Sequence, residues 1–342
     1  MKVDFSVGLG RNEAIYEIGD HAKVAEENGF SHVTFVDQPN LSRDVYTMMT
    51  VAALNTQRIK IGQGVTDPAT FHPSVTANAT ATVNELSGGR AFLGLGSGGP
   101  FGKEMRPRPL SEVRETIQFI KSYTSGKEAQ FNGARMHSEW VRRPFPIYLA
   151  CNGPKACEVA GEMADGAILG GLMLPEVVKW KVSLIRRAAD RAGRDPSKID
   201  IWARTLTFVA DSKEDAQREV AGYAITKAHG AYQVIKKGAV EAKYMKEALE
   251  RRKPGLVEEF KRIYEGFDPY QHEMVDAPQN TLATQTVIDC FLLTGRPEDI
   301  CQQITELTEA GVNNISSVMF TVIDKKGMMR EIGDKVMPCF RN

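Results

Sequence analysis

Five short stretches carry residues able to do chemistry, and each follows a brief apolar run. They are Asp37-Gln38-Pro39, Gly64-Val65-Thr66-Asp67, Gly96-Ser97-Gly98, Asn152-Gly153-Pro154-Lys155 and Gly170-Gly171. Glycine lets backbone come within contact distance of a ligand, because no Cβ intervenes. Repeated at successive strand ends, it suits a flat or phosphorylated molecule laid against the main chain. The Asn-Gly-Pro-Lys run adds a helix start. Proline fits the first helical turn, and the free N–H groups there face an anion. Asp37 offers a carboxyl. Gln38 beside it can hydrogen-bond but has no acid proton to give. His72 in Phe-His-Pro either positions the next helix or meets a substrate. Tyr46, His137 and Trp140 are further groups able to touch one. Cys151 reads as a small packing residue. Glu85 and Arg90 read as a helix-end ion pair.

Periodicity supplies the elements that would position these groups. Apolar, β-branched runs at 3–9, 32–36, 59–65, 91–95, 147–150, 166–169, 201–210 and 315–321 predict eight strands. Helical spacing predicts helices at 73–86, 110–123, 154–163, 175–192 and 297–310, with others after the first two strands. A further helix is expected at 282–293. Strands alternating with helices imply a parallel sheet, and eight of them imply a (β/α)8 TIM barrel with insertions. Two stretches exceed what such a barrel needs, at about 126–146 and 211–294. In barrels, insertions of this kind commonly wall the active site at the C-terminal ends of the strands. The whole chain therefore reads as one barrel domain.

Composition narrows the partners. The 342 residues hold 43 Lys+Arg and 43 Asp+Glu, so the formal net charge is zero. A nucleic-acid binder needs a surplus of basic groups to displace counterions, so none is expected. Asp4 interrupts the first apolar stretch, which leaves no signal-peptide core. No apolar run approaches the roughly 20 residues that span a bilayer. A cytoplasmic protein acting on a small molecule is the expectation, with no membrane partner. The five cysteines are odd in number and form no Cys-x-x-Cys pair. Free thiols are expected, with neither a disulfide nor a metal site.

At this point the blocks resemble a family. KIGQGVTDP, FHP and ATVNELSGGRAFLGLG, within 36–96, are similar to the luciferase-like superfamily. Within it they look most like the methylenetetrahydromethanopterin reductases that use the deazaflavin coenzyme F420. LACNGPKACEVAGEMADGAIL resembles the family's phosphate-binding region, and TGRPEDICQQITELTEAGV its C-terminal helix. The likeness covers most of 3–175 and 281–322, and does not reach 211–280.

The resemblance implies an oxidoreductase that transfers hydride between F420 and a small organic substrate. FMN is the alternative coenzyme, in a monooxygenase or reductase, and a non-catalytic flavin-binding barrel is a further alternative. It implies a cis peptide at Gly64–Val65 forming a bulge behind the coenzyme ring, with Thr66 following. It places Asp37 near the ring, and Gly96, Ser97 and Gly98 along the coenzyme side chain. It places Asn152, Gly153, Pro154 and Lys155 at the phosphate, with Gly170 beside them. Relatives usually pair into homodimers or homotetramers. Two positions depart from the reductases. Gln38 stands where His is common, and the acid of strand one is missing, with Ser6 there and no acid between Val7 and Gly10. Methylenetetrahydromethanopterin is therefore not the expected substrate. Ser6, Tyr46, His137 and Trp140 are the expected substrate-side residues. The basic run from Lys236 to Lys253 reads as a solvated helix face or as a dock for the coenzyme's polyglutamate tail.

Overall fold

The computed structural model describes residues 2–11, 13–39, 41–99, 107–271 and 273–341. In chain order the elements are β1 (Asp4–Leu9), α1 (Ile18–Glu27), β2 (His32–Phe35), α2 (Val45–Asn55), β3 (Lys60–Gln63), α3 (Pro73–Leu86), β4 (Ala91–Leu95), α4 (Leu110–Thr124), a hairpin of β5 (Ala129–Phe131) and β6 (Ala134–Met136), then β7 (Ile147–Ala150), α5 (Pro154–Met163), β8 (Gly166–Leu169) and α6 (Pro175–Arg191). There follow β9 (Asp200–Thr205), β10 (Thr207–Val209), α7 (Lys213–Lys237), α8 (Val240–Arg252), α9 (Leu256–Glu265), α10 (Gln285–Asp289), β11 (Leu293–Gly295), α11 (Pro297–Glu309), β12 (Asn314–Val318) and α12 (Lys325–Glu331). Eight strands close into one barrel in the order β1-β12-β9-β8-β7-β4-β3-β2, and every pairing is parallel. This is the expected (β/α)8 architecture.

The lumen is filled by alternating large and small side chains, since inward positions recur every second residue. Its lower part is an aromatic plug. His32, Phe92, Tyr148 and Trp202 come from four different strands and meet mostly edge to face, with centroids 4.6 to 6.4 Å apart. Glycines make room for them. A Cβ on Gly62 would lie 2.5 Å from the Phe92 ring, and one on Gly166 2.3 Å from Tyr148. Burial pushes the His32 ring down to about 3, so it sits in the plug uncharged. Ser6 belongs to this lumen as well, donating to Asn314 Oδ1 at 2.8 Å.

Three departures from the sequence reading have local causes. The run predicted as one strand over 201–210 breaks after Thr205, and the chain steps outward into β10, which pairs with β11 outside the barrel. The helix expected at 282–293 shrinks to α10, because Leu293 and its neighbours take that strand pairing instead. Arg90 does not pair with Glu85. Its guanidinium donates to the carbonyls of Ala53, Thr56 and Ile59, and so closes the C-terminal end of α2.

The two surplus stretches lie in different places. The first forms the β5–β6 hairpin, turned by Asn132 and Gly133 with positive φ, and leads into the N-terminal end of β7. Its Phe131 packs on Phe119 and His72 along the outer wall. The second supplies α7, α8 and α9, a roof over the C-terminal mouth. No helix is long and apolar enough to cross a membrane among the described residues.

The cysteine expectation is overturned in part. Cys301 on α11 is disulfide-bonded to Cys339 near the C-terminus, with Cα atoms 6.4 Å apart. The two are 38 residues apart and share no motif, so only the folding-back of the tail across α11 brings them together. Cys151, Cys157 and Cys290 are free and buried. Closing a loop of this size is worth roughly 2–4 kcal/mol. Cys301→Ser is expected to lower the thermal midpoint accordingly without reductant. Dithiothreitol should give the same drop in the unsubstituted chain and add nothing to the variant.

Candidate active site

A cavity of about 480 Å³ opens at the C-terminal ends of the strands, under the helical roof. Val65, Ala150, Gly170 and Arg204 form its floor, and Tyr223, Lys227 and Gly230 of α7 with Glu241 and Met245 of α8 form its cover. The volume suits a coenzyme-sized ligand. Gly230 is open toward it, because a Cβ there would meet nothing within 4 Å. Three cations line the cavity, Lys181, Arg204 and Lys227, against the acid Glu241. Lys227 lies over the Tyr223 ring at 4.5 Å.

At one end of the cavity, three residues lock together. Lys181 of α6 donates to the Gly170 carbonyl at 2.9 Å, and the Gly170 N–H donates to Asn152 Oδ1 at 2.9 Å. Burial pulls the Lys181 ammonium below its ordinary pKa, so a nearby anion would hold its proton more firmly. Beside it, a hydrogen bond with Cys157 and burial both raise Cys151, which keeps that thiol protonated and unreactive.

At the other end lies a bulge. The Gly64–Val65 peptide is cis, as the resemblance implied. Gly64 N–H donates to the Phe35 carbonyl at 2.7 Å, and Thr66 N–H to the Gly94 carbonyl at 2.9 Å, so both neighbouring strands hold it. Residue 94 must be glycine, since a Cβ would lie 2.0 Å from the Gln63 carbonyl oxygen. The bulge carries Val65 into the cavity floor. Arg204 Nη2 donates to the Gly64 carbonyl at 2.7 Å from below.

Behind the bulge, the ends of β2 and β3 collect a buried polar cluster. Asp37 Oδ2, Tyr46 Oη, Gln63 Oε1 and Thr66 Oγ1 are all enclosed, with no partner in hydrogen-bond geometry among the described residues. Burial pushes the Asp37 carboxyl up to about 6. The charges of Asp67 and Asp44 add to this, and the Thr66 hydroxyl, near but outside hydrogen-bond geometry, opposes it. Burial likewise raises Tyr46 to about 12, so its hydroxyl keeps its proton.

The other expected residues distribute as follows. Gly96 N–H donates to the Thr66 carbonyl at 2.8 Å, and the Ser97 carbonyl accepts from Arg108 N–H at 2.6 Å. A Cβ on Gly98 would lie 3.2 Å from the Asp67 carboxyl. This loop therefore buttresses the bulge and does not line the cavity. Gly153 and Pro154 begin α5 beside Asn152, while Lys155 is exposed and off the cavity lining. Gln38 heads a turn, its carbonyl accepting from Leu41 and Ser42 N–H at 2.8 Å each. His72 caps α3, with Nδ1 accepting from Ser74 N–H at 3.2 Å. That contact and its packing on Phe131 account for it structurally. His137 and Trp140 are exposed on the stretch that enters β7 and do not line the cavity, nor does Ser6. Lys181, Arg204 and the α7–α8 residues were not singled out as site residues. Lys181 and Lys227 sit in ordinary amphipathic helices, and the Arg204 signal was an arginine inside an apolar strand run. Among the described residues, no three His, Cys, Asp or Glu side chains gather to hold a metal ion.

A closed parallel barrel with its cavity at the strand C-termini, capped by an insertion, is the layout of a (β/α)8-barrel enzyme. The chain belongs to the luciferase-like monooxygenase family, whose profile matches residues 2–314. It is 30% identical to the 5,10-methylenetetrahydromethanopterin reductase of Methanolobus tindarius, over 97% of this chain and 99% of that one. It is 29% identical to the F420-dependent hydroxymycolic acid dehydrogenase of Mycobacterium tuberculosis, over 58% of this chain and 60% of that one. The solved coenzyme F420-dependent tetrahydromethanopterin reductase of Methanopyrus kandleri superposes over the full length of both chains, with a TM-score of 0.78 and 25% identity. An FMN complex of a Pseudomonas putida Baeyer–Villiger monooxygenase shares the fold, with a TM-score of 0.68 at 17% identity.

The raised carboxyl gives a pH signature. A folded pKa above the unfolded one stabilises the fold below the unfolded value, and that stability is lost as pH rises through the folded value. For Asp37 the window runs from the ordinary aspartate range up to about 6. Asp37→Asn, which removes the charge, is expected to raise thermal stability above pH 6, by up to about 3 kcal/mol. The gain should shrink steadily as pH falls toward 4. A gain independent of pH would contradict the burial of this carboxylate.

Proposed function

We propose that this chain is an F420-dependent oxidoreductase that transfers hydride between the deazaflavin and a small organic substrate. The observation that carries the reading is the Val65 bulge. It is held by two strands at the floor of a cavity whose far end offers Lys181 and a backbone turn. One end suits a flat ring and the other suits a phosphate. Gly170 and the open face of Gly230 leave room for a ligand against backbone. The full-length likeness to the solved F420-dependent reductase, and the partial one to the F420-dependent hydroxymycolic acid dehydrogenase, support the choice of deazaflavin over FMN.

When bound, reduced F420 supplies the hydride from its ring. Everything else falls to the chain. Val65 would brace the ring from beneath. Lys181, Asn152 and the start of α5 at Gly153–Pro154 would hold the phosphate by charge and by free N–H groups. The roof helices would exclude water, which strengthens each polar contact inside. Asp37, with a carboxyl at about 6, can hold a proton at Oδ2 near neutral pH. The Tyr46 hydroxyl, always protonated, can donate to the same region. Both lie behind the bulge and off the cavity lining, so they would take the proton-handling role for which Gln38 is unsuited by relay past Thr66. At the end of the basic run, Arg251 lies near Glu176, Arg252 near Asp289, and Lys253 is bonded to Glu259.

Titration of the purified chain with F420 and with FMN, followed by fluorescence, tests the reading. Binding of F420 at least roughly tenfold tighter than FMN is expected, a gap of about 1.4 kcal/mol. Binding of FMN alone would overturn it. Gly230→Leu should abolish F420 binding while leaving the thermal midpoint equal or higher. The side chain fills open cavity, and leucine favours a helix interior over glycine by about 1 kcal/mol.

A further inference from the structure

Arg204 stands two residues beyond Trp202 on β9, so both side chains point into the barrel. Its guanidinium reaches the top of the lumen and lies on the cavity lining. Nη2 donates to the Gly64 carbonyl at 2.7 Å, Nη1 lies 3.5 Å from Thr34 Oγ1, and the Phe320 ring sits 5.8 Å from the guanidinium carbon. Among the described residues, no carboxylate forms an ion pair with it. The Arg11, Lys213 and Lys325 cations in the same half of the barrel are each matched to an acid, by Glu273, Asp289 and Glu13.

A guanidinium cannot shed its charge, and it presents five N–H donors. Withdrawn from water, such a cation is costly unless something meets it. The Gly64 carbonyl takes one donor, and Thr34 Oγ1 accepts a second, longer bond from Nη1 at 3.5 Å. The neighbouring inward position on β1 is Gly8, where a Cβ would lie 3.5 Å from Nη2, so no side chain of that strand screens the charge. Among the described residues, its open side is the cavity.

We propose that Arg204 binds an anionic or carbonyl oxygen of the ligand seated at the Val65 bulge, and thereby selects against cationic ligands there. The proposal rests on reading this cavity as the coenzyme and substrate site. Two sources carry such an oxygen, the carbonyls of the coenzyme ring and a carbonyl or carboxylate on the substrate. Either would complete the fork of donors that Gly64 leaves unused.

The test compares wild type, Arg204→Gln and Arg204→Lys. F420 affinity is read by fluorescence. Propionate, propionamide and propylammonium are then titrated by thermal shift, with and without F420. If the coenzyme is the source, Arg204→Gln should weaken F420 by roughly tenfold or more. If the substrate is the source, it should weaken propionate by a similar factor and leave F420 unchanged. Arg204→Lys, which keeps a charge without the fork, should fall between. Wild type should bind propionate in preference to propylammonium, a comparison that needs no variant should Arg204→Gln fail to fold. The proposal is overturned if wild type without coenzyme shows no such preference. It is overturned equally if both variants bind F420 and propionate within about twofold of wild type. Arg204 would then be a clasp on the Gly64 peptide and nothing more. Failure of wild type to bind either F420 or FMN sinks the coenzyme reading, while propionate against propylammonium on the unloaded chain still decides the role of Arg204.

Discussion

The space inside a closed eight-stranded barrel governs this molecule. Every strand must pair on both sides, so the lumen has a fixed width and each layer admits only a few large side chains. Phe92 and Tyr148 fit because Gly62 and Gly166 yield the room. The same trade, one layer higher, gives Gly8 and Gly64 to make way for Thr34 and Arg204. The glycines near the mouth therefore serve two ends. They let the barrel close, and they leave backbone bare at the place where a ligand can lie on it. The bulge at Val65 belongs to this economy of volume, since it rides over Gly94, whose missing side chain leaves room for the Gln63 carbonyl.

Much of this was legible in the sequence, for identifiable reasons. Barrel strands buried on both faces leave uninterrupted apolar runs, and the helices between them start with Pro73, Pro154, Pro175 and Pro297 and stop near glycine or asparagine. Local chemistry of that kind survives into the fold nearly residue by residue. The strand ends were legible too, because bare backbone needs glycine and glycine is visible.

What stayed hidden depends on contacts between residues far apart in the chain. Leu293 joins β11 only because Thr207–Val209 lies beside it, and an apolar run of that length reads equally well as helix. Cys301 and Cys339 meet because the tail doubles back across α11. Lys227 faces inward because the roof comes down over the mouth, and Lys181 because α6 sets it against the Gly170 carbonyl. His72 misled in the opposite sense: a histidine before proline at a strand end looks chemical, yet its ring caps a helix and packs on Phe131. Arg204 stood in plain sight, yet one arginine in an apolar run does not announce that its carboxylate partner is missing.

The short pair β10–β11 has a consequence for how the enzyme could be remade. These strands run parallel at the neck of the roof, so the excursion leaves from the end of one and returns at the start of the other. The gap between those points is about three residues of strand, roughly 10 Å. Everything between them is in effect a cassette plugged into a finished barrel. A brief linker could bridge the socket, and a different cassette could be seated there without disturbing the floor on which the ring would rest.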